Sequence, residues 1–469
     1  MISRGFFVFC LCFGLGLMAF LVGCGSEITN TDAIPKVTNV RVAGSSDDIT
    51  ITYDLEDSDN SSCRIEVQWR GGPFPTTWQT ATVLGTTSGL APATDLDITW
   101  RSNSDVHVDT LAASSANFYV RITPYDTLTG IPGDSAQFSV TNPAVVSLLC
   151  AGLNGDSGGS FGSSFKGTTE AQTVYDHLDK TSRFDTPNIT VSLGSSATTS
   201  SVRSAIQNLA TTSVAGDLIH IYISAQTTHV SGGGTDYYYL NLYETGYTDT
   251  DIAADLAGFG TGVNVLISIQ APGSGGVDVN KSMGNLVESV MSKMWANHQR
   301  PKDLSKTGLT PKGTHVAWLC SNTTGASMPV SQPVNDFTGH YLNGLYFGDS
   351  NSDGKITGWE IYSYLSGKVR ATAYKYGDSV LQGLYLTPVL TMAADAYEPD
   401  SSGSPAAITF GVPQARSLHT QTDEDWVTFT LATPQQVTIT TSQLGSFLAD
   451  TELTLYDSGL NEVTSDQDS

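Results

Sequence analysis

The sequence predicts a multidomain chain: a central α/β three-layer sandwich with a mostly parallel sheet, flanked by all-β sandwich domains. Three observations predict it. Residues 144–394 alternate continuous apolar runs with segments of helical spacing, the pattern of parallel strands joined by crossover helices. Residues 36–143 carry period-two runs such as Ile49-Thr-Ile-Thr-Tyr-Asp-Leu55, punctuated by Gly, Pro, Asp and Ser. The pattern changes again at about Asp395. A length of 469 residues allows about three domains, each able to bury its own core.

The charge excludes one class of partner. With 22 basic and 46 acidic residues the net charge is −24. Nucleic acid requires clustered Lys and Arg, so it is not expected as a partner. An acidic, Ser-, Thr-, Gly- and Asn-rich chain fits secreted β-rich modules with a self-repelling surface.

Residues 1–23 read as a targeting segment. Arg4 precedes the apolar run Gly5–Val22, which is too poorly patterned to be fold. It ends in Leu21-Val22-Gly23-Cys24, which resembles the lipobox of bacterial lipoproteins. The resemblance implies diacylation of Cys24 and a membrane anchor of two or three acyl chains. A transmembrane helix or an ordinary signal peptide is the alternative. Gly25 in place of Asp implies the outer membrane or cell surface. Residues 24–35 form a short polar tether. Of six cysteines, Cys10 and Cys12 lie in the signal segment and Cys24 is the lipidation site. Cys63, Cys150 and Cys320 remain, an odd set that reads as buried thiols. A Cys150–Cys320 bridge is the alternative.

In residues 36–143, the runs around Ile49–Leu55 and Phe118–Ile122 are strands, and Trp69, Trp78 and Trp100 are expected in the core. The stretch resembles a bacterial fibronectin type III-like module, which implies a spacer or adhesive role. A carbohydrate-binding aromatic platform is the alternative use of the tryptophans.

The central segment follows in order. Val145–Leu149 is a buried strand, and Ala171, Val174, Tyr175 and Leu178 mark a helix. Ile189–Leu193 is a strand, and Val202, Ala205, Ile206 and Leu209 a helix. Leu218–Ile223 is a strand, with an extra strand at Tyr237–Tyr243. Asp249–Phe259 is a helix, Val263–Ile269 a strand, Lys281–His298 a long amphipathic helix, and Thr314–Leu319 the closing strand. Working loops of such sheets lie at the strand C-terminal ends.

Two of those ends carry the central observation. Tyr222-Ile-Ser-Ala-Gln-Thr-Thr-His229 and Ile267-Ser-Ile-Gln-Ala-Pro-Gly-Ser-Gly-Gly276 each follow an apolar strand. They resemble the YxSGHG and DxCxSGG stretches of the caspase-like and legumain-like (clan CD) cysteine peptidases. Gly216-Asp217, Asn335-Asp-Phe-Thr338 and Asp349-Ser-Asn-Ser-Asp-Gly354 add to the resemblance, which spans about Ala144–Leu390. It implies a caspase-like fold with Gln226 at the catalytic His position and Pro272 at the Cys position. Proline has no side-chain nucleophile, and glutamine does not exchange protons near neutral pH. Gln270 stands where metacaspase-like members carry an acidic residue for basic substrates. No catalytic residue is therefore expected, and the domain reads as a pseudopeptidase. Two rescues are open: His229 with Ser274 as a substitute pair, although Ser274 lacks a full G-x-S-x-G elbow, or Cys150 or Cys320 as nucleophile under a shifted alignment.

Asp349-Ser-Asn-Ser-Asp-Gly-Lys-Ile-Thr-Gly-Trp-Glu360 matches the EF-hand loop. Asp349, Asn351 and Asp353 stand at ligand positions one, three and five, and Gly354 at the turn. Lys355 offers a carbonyl at seven, Thr357 a water-mediated contact at nine, and Glu360 a bidentate carboxylate at twelve. Helices are expected at Phe337–Phe347 and Trp359–Ala373. Calcium is the implied cofactor, with a structural role; a solvated acidic turn is the alternative.

Residues 395–469 resemble the bacterial pre-peptidase C-terminal domain through Asp395-Ala-Tyr-Glu-Pro-Asp400, Asp423-Glu-Asp-Trp426 and Asp450-Thr-Glu-Leu-Thr-Leu-Tyr456. That implies a small β-sandwich, here expected to be incomplete. The combined expectation is a lipid-anchored bacterial surface protein whose degenerate peptidase domain binds or scaffolds peptides or protein partners. An active divergent cysteine-type or Ser274/His229 endopeptidase, and a structural adhesin or spacer, are the alternatives.

Overall fold

The computed structural model describes residues 33–59, 62–108, 117–154, 166–179, 184, 188–232, 235–270, 282–299, 304–322, 336–366, 368, 372–390, 394–420, 423–441 and 452–467. Cys24, where lipidation is expected, Pro272 and Ser274 lie outside them.

The N-terminal module is two antiparallel sheets. Strands β1 (Lys36–Ala43), β2 (Asp48–Glu56), β3 (Arg64–Gly71), β4 (Phe74–Thr80), β5 (Val83–Leu84), β6 (Ala93–Arg101), β7 (Tyr119–Tyr125) and β8 (Gly133–Asp134) form them, with a helical turn α1 at Ser102–Asp105. The sheet orders are β1-β2-β6-β5 and β4-β3-β7-β8. Alternate residues of β2 and β3, among them Ile49, Ile51, Ile65, Val67 and Trp69, point into one shared core, as a half-buried pleated strand requires. Trp69 stacks on Trp100 and Phe118 there, with ring centroids 5.6 and 6.0 Å apart. Trp78 is not in this core. It lies on the outer face of β4, because the β3–β4 register shifts between Trp69 and Gly71 and breaks the alternation that would put it on the same side as Phe74, which meets Trp69.

The central region begins with β9 (Val146–Gly152), α2 (Gly167–Leu178), β10 (Ile189–Leu193), α3 (Thr199–Thr212) and β11 (Leu218–Ser224). A hairpin and short strand follow, β12 (Thr227–Gly232), β13 (Thr235–Asn241) and β14 (Gly246–Thr248), and then α4 (Asp249–Leu256), β15 (Asn264–Gln270), α5 (Ser282–Met294), α6 (Leu304–Thr307) and β16 (His315–Asn322). The last part is α7 (Asp336–Phe347), β17 (Lys355–Thr357), α8 (Gly358–Leu365), β18 (Thr372–Tyr376), α9 (Asp378–Gly383) and β19 (Tyr385–Pro388).

One sheet has the order β10-β9-β11-β15-β16-β18. Its first five strands are parallel, and Leu218 of β11 sits between Val146 and Asn264 in register. Every residue of β9 and β11 is buried, which is why both read as unbroken apolar runs. Ile219, Ile221 and Ile223 face one core with Val202, Ile252 and Leu286 of α3, α4 and α5. Leu218 and Tyr222 face the other, with Val174, Leu345 and Ile361 of α2, α7 and α8. Local signals set the helix starts. Thr198 caps α3 by accepting from the Ser201 amide at 3.0 Å, and Thr248 caps α4 by accepting from Asp251 at 3.1 Å.

One boundary differs from the sequence reading. Ala373 does not belong to a helix beginning at Trp359. That helix stops at Leu365, and Thr372–Tyr376 pairs antiparallel with β16 as a further edge strand. β-Branched and aromatic residues, with a long cross-strand partner available, override helical continuation there. The strand expected at Tyr237–Tyr243 is Thr235–Asn241, within a separate three-stranded sheet with β12 and β14. Cys150 and Cys320 are free thiols on opposite faces of the sheet, in different cores, which excludes a bridge between them.

The Gly216-Asp217 pair is the seat of the N-terminal module. Asp217 accepts from the amides of Val145 at 2.8 Å and Val214 at 2.9 Å, and its carboxylate lies 2.6 Å from Nδ1 of His107. Gly216 has φ of 95°, and a Cβ there would sit 1.8 Å from the His107 carbonyl oxygen. Only glycine permits that approach.

Beyond residue 394 the described strands form two separate pairs, β20 (Ala406–Ala407) with β21 (Val427–Thr428) and β22 (Glu452–Tyr456) with β23 (Glu462–Gln467). Two packed sheets, the expectation for this segment, are not formed by the described residues. Phe410, Val412, Leu460 and Val463 stay exposed, so no buried apolar layer holds such a pair of sheets together.

Candidate functional site

β11 and β15 end side by side, with Ser224 opposite Gln270 and the Ala225 amide donating to the Gln270 carbonyl at 3.1 Å. Gln226 follows directly, and its own carbonyl accepts from the Asn241 amide at 2.8 Å. The side-chain oxygens of Gln226 and Gln270 are both buried and without a hydrogen-bond partner among the described residues. Two adjacent strand ends therefore present two unsatisfied amide acceptors, a costly state without a donor. No imidazole occupies the Gln226 position.

His229 belongs to β12, opposite Tyr238, and the two rings stack with centroids 4.4 Å apart at 12°. The stack holds the imidazole in the hairpin. The thiols are similarly committed to structure. Cys150 and Cys320 are fully buried, and burial pushes both thiols far above their ordinary range. Burial, with Asp57 nearby, pushes Cys63 up to about 11. A thiol held neutral is neither a nucleophile nor a metal ligand.

Beneath the strand ends runs a polar seam that the sequence reading did not isolate. His220 Nε2 lies 3.3 Å from Ser268 Oγ and 3.1 Å from the Tyr341 hydroxyl. Tyr222 and Thr338 hydroxyls lie 2.7 Å apart, and Ser224 donates to the buried carboxylate of Glu170. Burial drives His220 down to about 3, so the imidazole is neutral. The signal was present: His220, Tyr222 and Ser224 alternate with isoleucines in β11, and Ser268 and Gln270 do so in β15. Thr338, in the first turn of α7, is a seam residue.

The second candidate site is the loop between α7 and α8. Asp349 accepts from the amides of Asp353 at 3.2 Å and Gly354 at 2.8 Å. Asn351 accepts from Asp353 at 2.9 Å, and Asp353 from Lys355 at 2.9 Å. Ser352 and Gly354 take φ of 61° and 77°, the left-handed turns that fold the loop on itself. Glu360 is buried, caps α8 by accepting from the Thr357 amide and hydroxyl at 2.9 Å each, and reaches the Ser350 amide at 3.3 Å. Lys355–Thr357 pairs with Tyr385–Pro388, which supplies the partner strand that a second loop supplies in paired EF-hands.

The donor set is all oxygen, from one loop and one following helix, which fits a hard cation. Among the described residues, three groups of acidic and imidazole side chains have ligand atoms within 4.8 Å of one another: Glu398, His419 and Asp423; Asp57, Asp59 and Asp126; and Asp395, Glu398 and Asp425. The loop carboxylates are not one of these groups, because each accepts from a different part of the loop or from the cap of α8.

No protein-family model matches the sequence, and no curated protein matches it. Among solved structures, a protein of Geobacter sulfurreducens aligns at a TM-score of 0.37 and 16% identity, covering 52% of this chain and 100% of that one. A Lactobacillus rhamnosus β-glucuronidase aligns at a TM-score of 0.13 and 10% identity, covering 57% of this chain and 53% of that one. No helix among the described residues is long and apolar enough to cross a membrane.

Proposed function

We propose that this chain is a non-catalytic binding or scaffolding protein of a bacterial cell envelope, anchored by lipid at Cys24. Its central domain has a caspase-like layout from which the catalytic dyad is gone, and the Asp349–Glu360 loop holds a structural calcium ion. The observation that carries this reading is the pair of unpartnered buried acceptors, Gln226 and Gln270, at neighbouring strand ends. An extended peptide brings backbone N–H donors that satisfy such acceptors, and neither glutamine performs nucleophilic or acid–base chemistry. The committed state of Cys150, Cys320 and His229 supports the same conclusion.

The test incubates the purified chain with a mixed peptide library and reads both retention and cleavage by mass spectrometry. Peptides are expected to be retained uncut, and Gln226→Leu to weaken retention. Cleavage that disappears in Cys150→Ser, Cys320→Ser or Ser274→Ala overturns the reading and restores an endopeptidase.

A further inference from the structure

Outside the central domain, the outer face of β4-β3-β7 carries an ordered stack of guanidinium groups and aromatic rings. Arg64 and Arg70 alternate with the buried Ile65, Val67 and Trp69, so both project from the side of β3 away from the core. The Arg70 guanidinium lies 4.9 Å from the Trp78 ring centroid and 4.7 Å from that of Tyr119. Arg121 lies 4.4 Å from the Trp78 centroid and is paired through Nε to Asp134 at 2.7 Å. Arg64 lies 4.0 Å over Tyr125.

Arg64 and Arg70 make no hydrogen bond or ion pair among the described residues. In a chain of net charge −24, with more than two acidic residues for each basic one, two arginines left unpaired on one face are unexpected. Among the described residues, each is held by aromatic rings alone. Stacking fixes the plane of a guanidinium; Nε of Arg70 is buried, so the ligand edge is the pair of Nη groups, which suits two-pronged recognition of a planar carboxylate.

We propose that this face binds an acidic polysaccharide through its uronate carboxylates, with Arg70 as the central contact and Trp78 and Tyr119 as its support. Charge complementarity selects the anion: the face also carries Glu66, whose carboxylate accepts from Tyr125 and Gln68, and Asp134, which pairs Arg121, and this leaves the guanidinium groups of Arg64 and Arg70 to an anionic ligand. The setting selects the glycan: the sheet face bears the rings of Trp78, Tyr119 and Tyr125, and the Gln137 amide is committed to the Tyr119 hydroxyl at 2.9 Å and to Asn117 at 2.6 Å, where it steadies the Tyr119 ring. Sugar rings pack on such aromatic surfaces, while the carboxylate meets the guanidinium. The position of Trp78 outside the core separates it from Trp69 and Trp100, which are structural.

The experiment is affinity electrophoresis and calorimetry of the full chain with alginate, neutral dextran and poly-glutamate. Alginate is expected to bind, and dextran and poly-glutamate to bind at least about tenfold more weakly, the size of one charge-assisted contact or more. Arg70→Ala and Trp78→Ala are expected to lose about tenfold in alginate affinity, and Arg70→Lys to fail as a rescue because an ammonium lacks the planar fork. Lys312→Ala, exposed elsewhere, is expected to bind as the wild type does. Unchanged alginate binding by Arg70→Ala overturns the proposal, even if Trp78→Ala fails to fold. Equal binding of dextran removes the carboxylate from it. Equal binding of poly-glutamate makes the partner an acidic peptide and overturns the glycan.

Discussion

Replacing calcium with a chelator is the perturbation that most directly tests the Asp349–Glu360 loop. Extracellular loops of this type bind with dissociation constants of about 0.1–1 mM. At about 10 mM calcium, linkage then adds about 1.4–2.7 kcal/mol to the folded state. For a domain of this size, 1 kcal/mol moves Tm by about 2–4 °C, so calcium should raise the melting temperature by roughly 3–11 °C. The variant Glu360→Gln removes one anionic ligand at position twelve. It keeps an oxygen able to accept from the Thr357 amide and hydroxyl, the 2.9 Å contacts that cap α8. Its calcium-free stability should therefore fall by less than about 1 kcal/mol. Differential scanning fluorimetry in EDTA, calcium and magnesium separates the two effects. The loop packs α7 against α8, so the calcium-dependent transition should be that of the central domain. Identical wild-type curves in EDTA and calcium, or a Glu360→Gln protein that responds as the wild type does, would refute the reasoning.

Three further outcomes are expected. His220 takes up a proton at about 3 in the folded chain against an ordinary 6.5, so between those values the unfolded state holds the extra proton and acid unfolds the domain. The contribution is fully present above pH 6.5, declines towards pH 3, and is roughly 4–5 kcal/mol at most; denaturation across that range should lose this slope in His220→Gln. Asp217→Ala leaves two amides and the His107 imidazole without their acceptor, so urea denaturation should show a loss of about 3 kcal/mol or more, with partial recovery in Asp217→Asn. In a chain lacking residues 1–24, the remaining Cys63, Cys150 and Cys320 should resist a thiol reagent at mild alkaline pH and react together in denaturant; rapid native labelling of any one contradicts their burial.

The strands of the central sheet were legible because burial on both faces leaves a continuous apolar run, as in Val146–Gly152 and Leu218–Ser224. The helix at Thr199–Thr212 was legible because Val202, Ile206 and Leu209 lie on one face behind a Thr198 cap. The end of α8 and the strand after it were not, since Thr372–Tyr376 is extended through its pairing with β16. The polar seam was half legible. Its strand residues show a period of two, but their partners Glu170, Thr338 and Tyr341 come from helices far away in sequence.

By itself, the sequence determined what is written in local order: alternating patterns that mark each segment, the residues Gln226 and Pro272 after two apolar strand runs, and the spacing of loop oxygens from Asp349 to Glu360. Only the tertiary structure decided which side chains meet. It put Cys150 and Cys320 on opposite faces, committed His229 to Tyr238, and left Gln226 and Gln270 without donors among the described residues. It also moved Trp78 out of the core and onto the two arginines. The physical reason is that period and spacing report which face a residue occupies. The identity of the group across that face is set by strand order and crossover, which bring together residues a hundred positions apart.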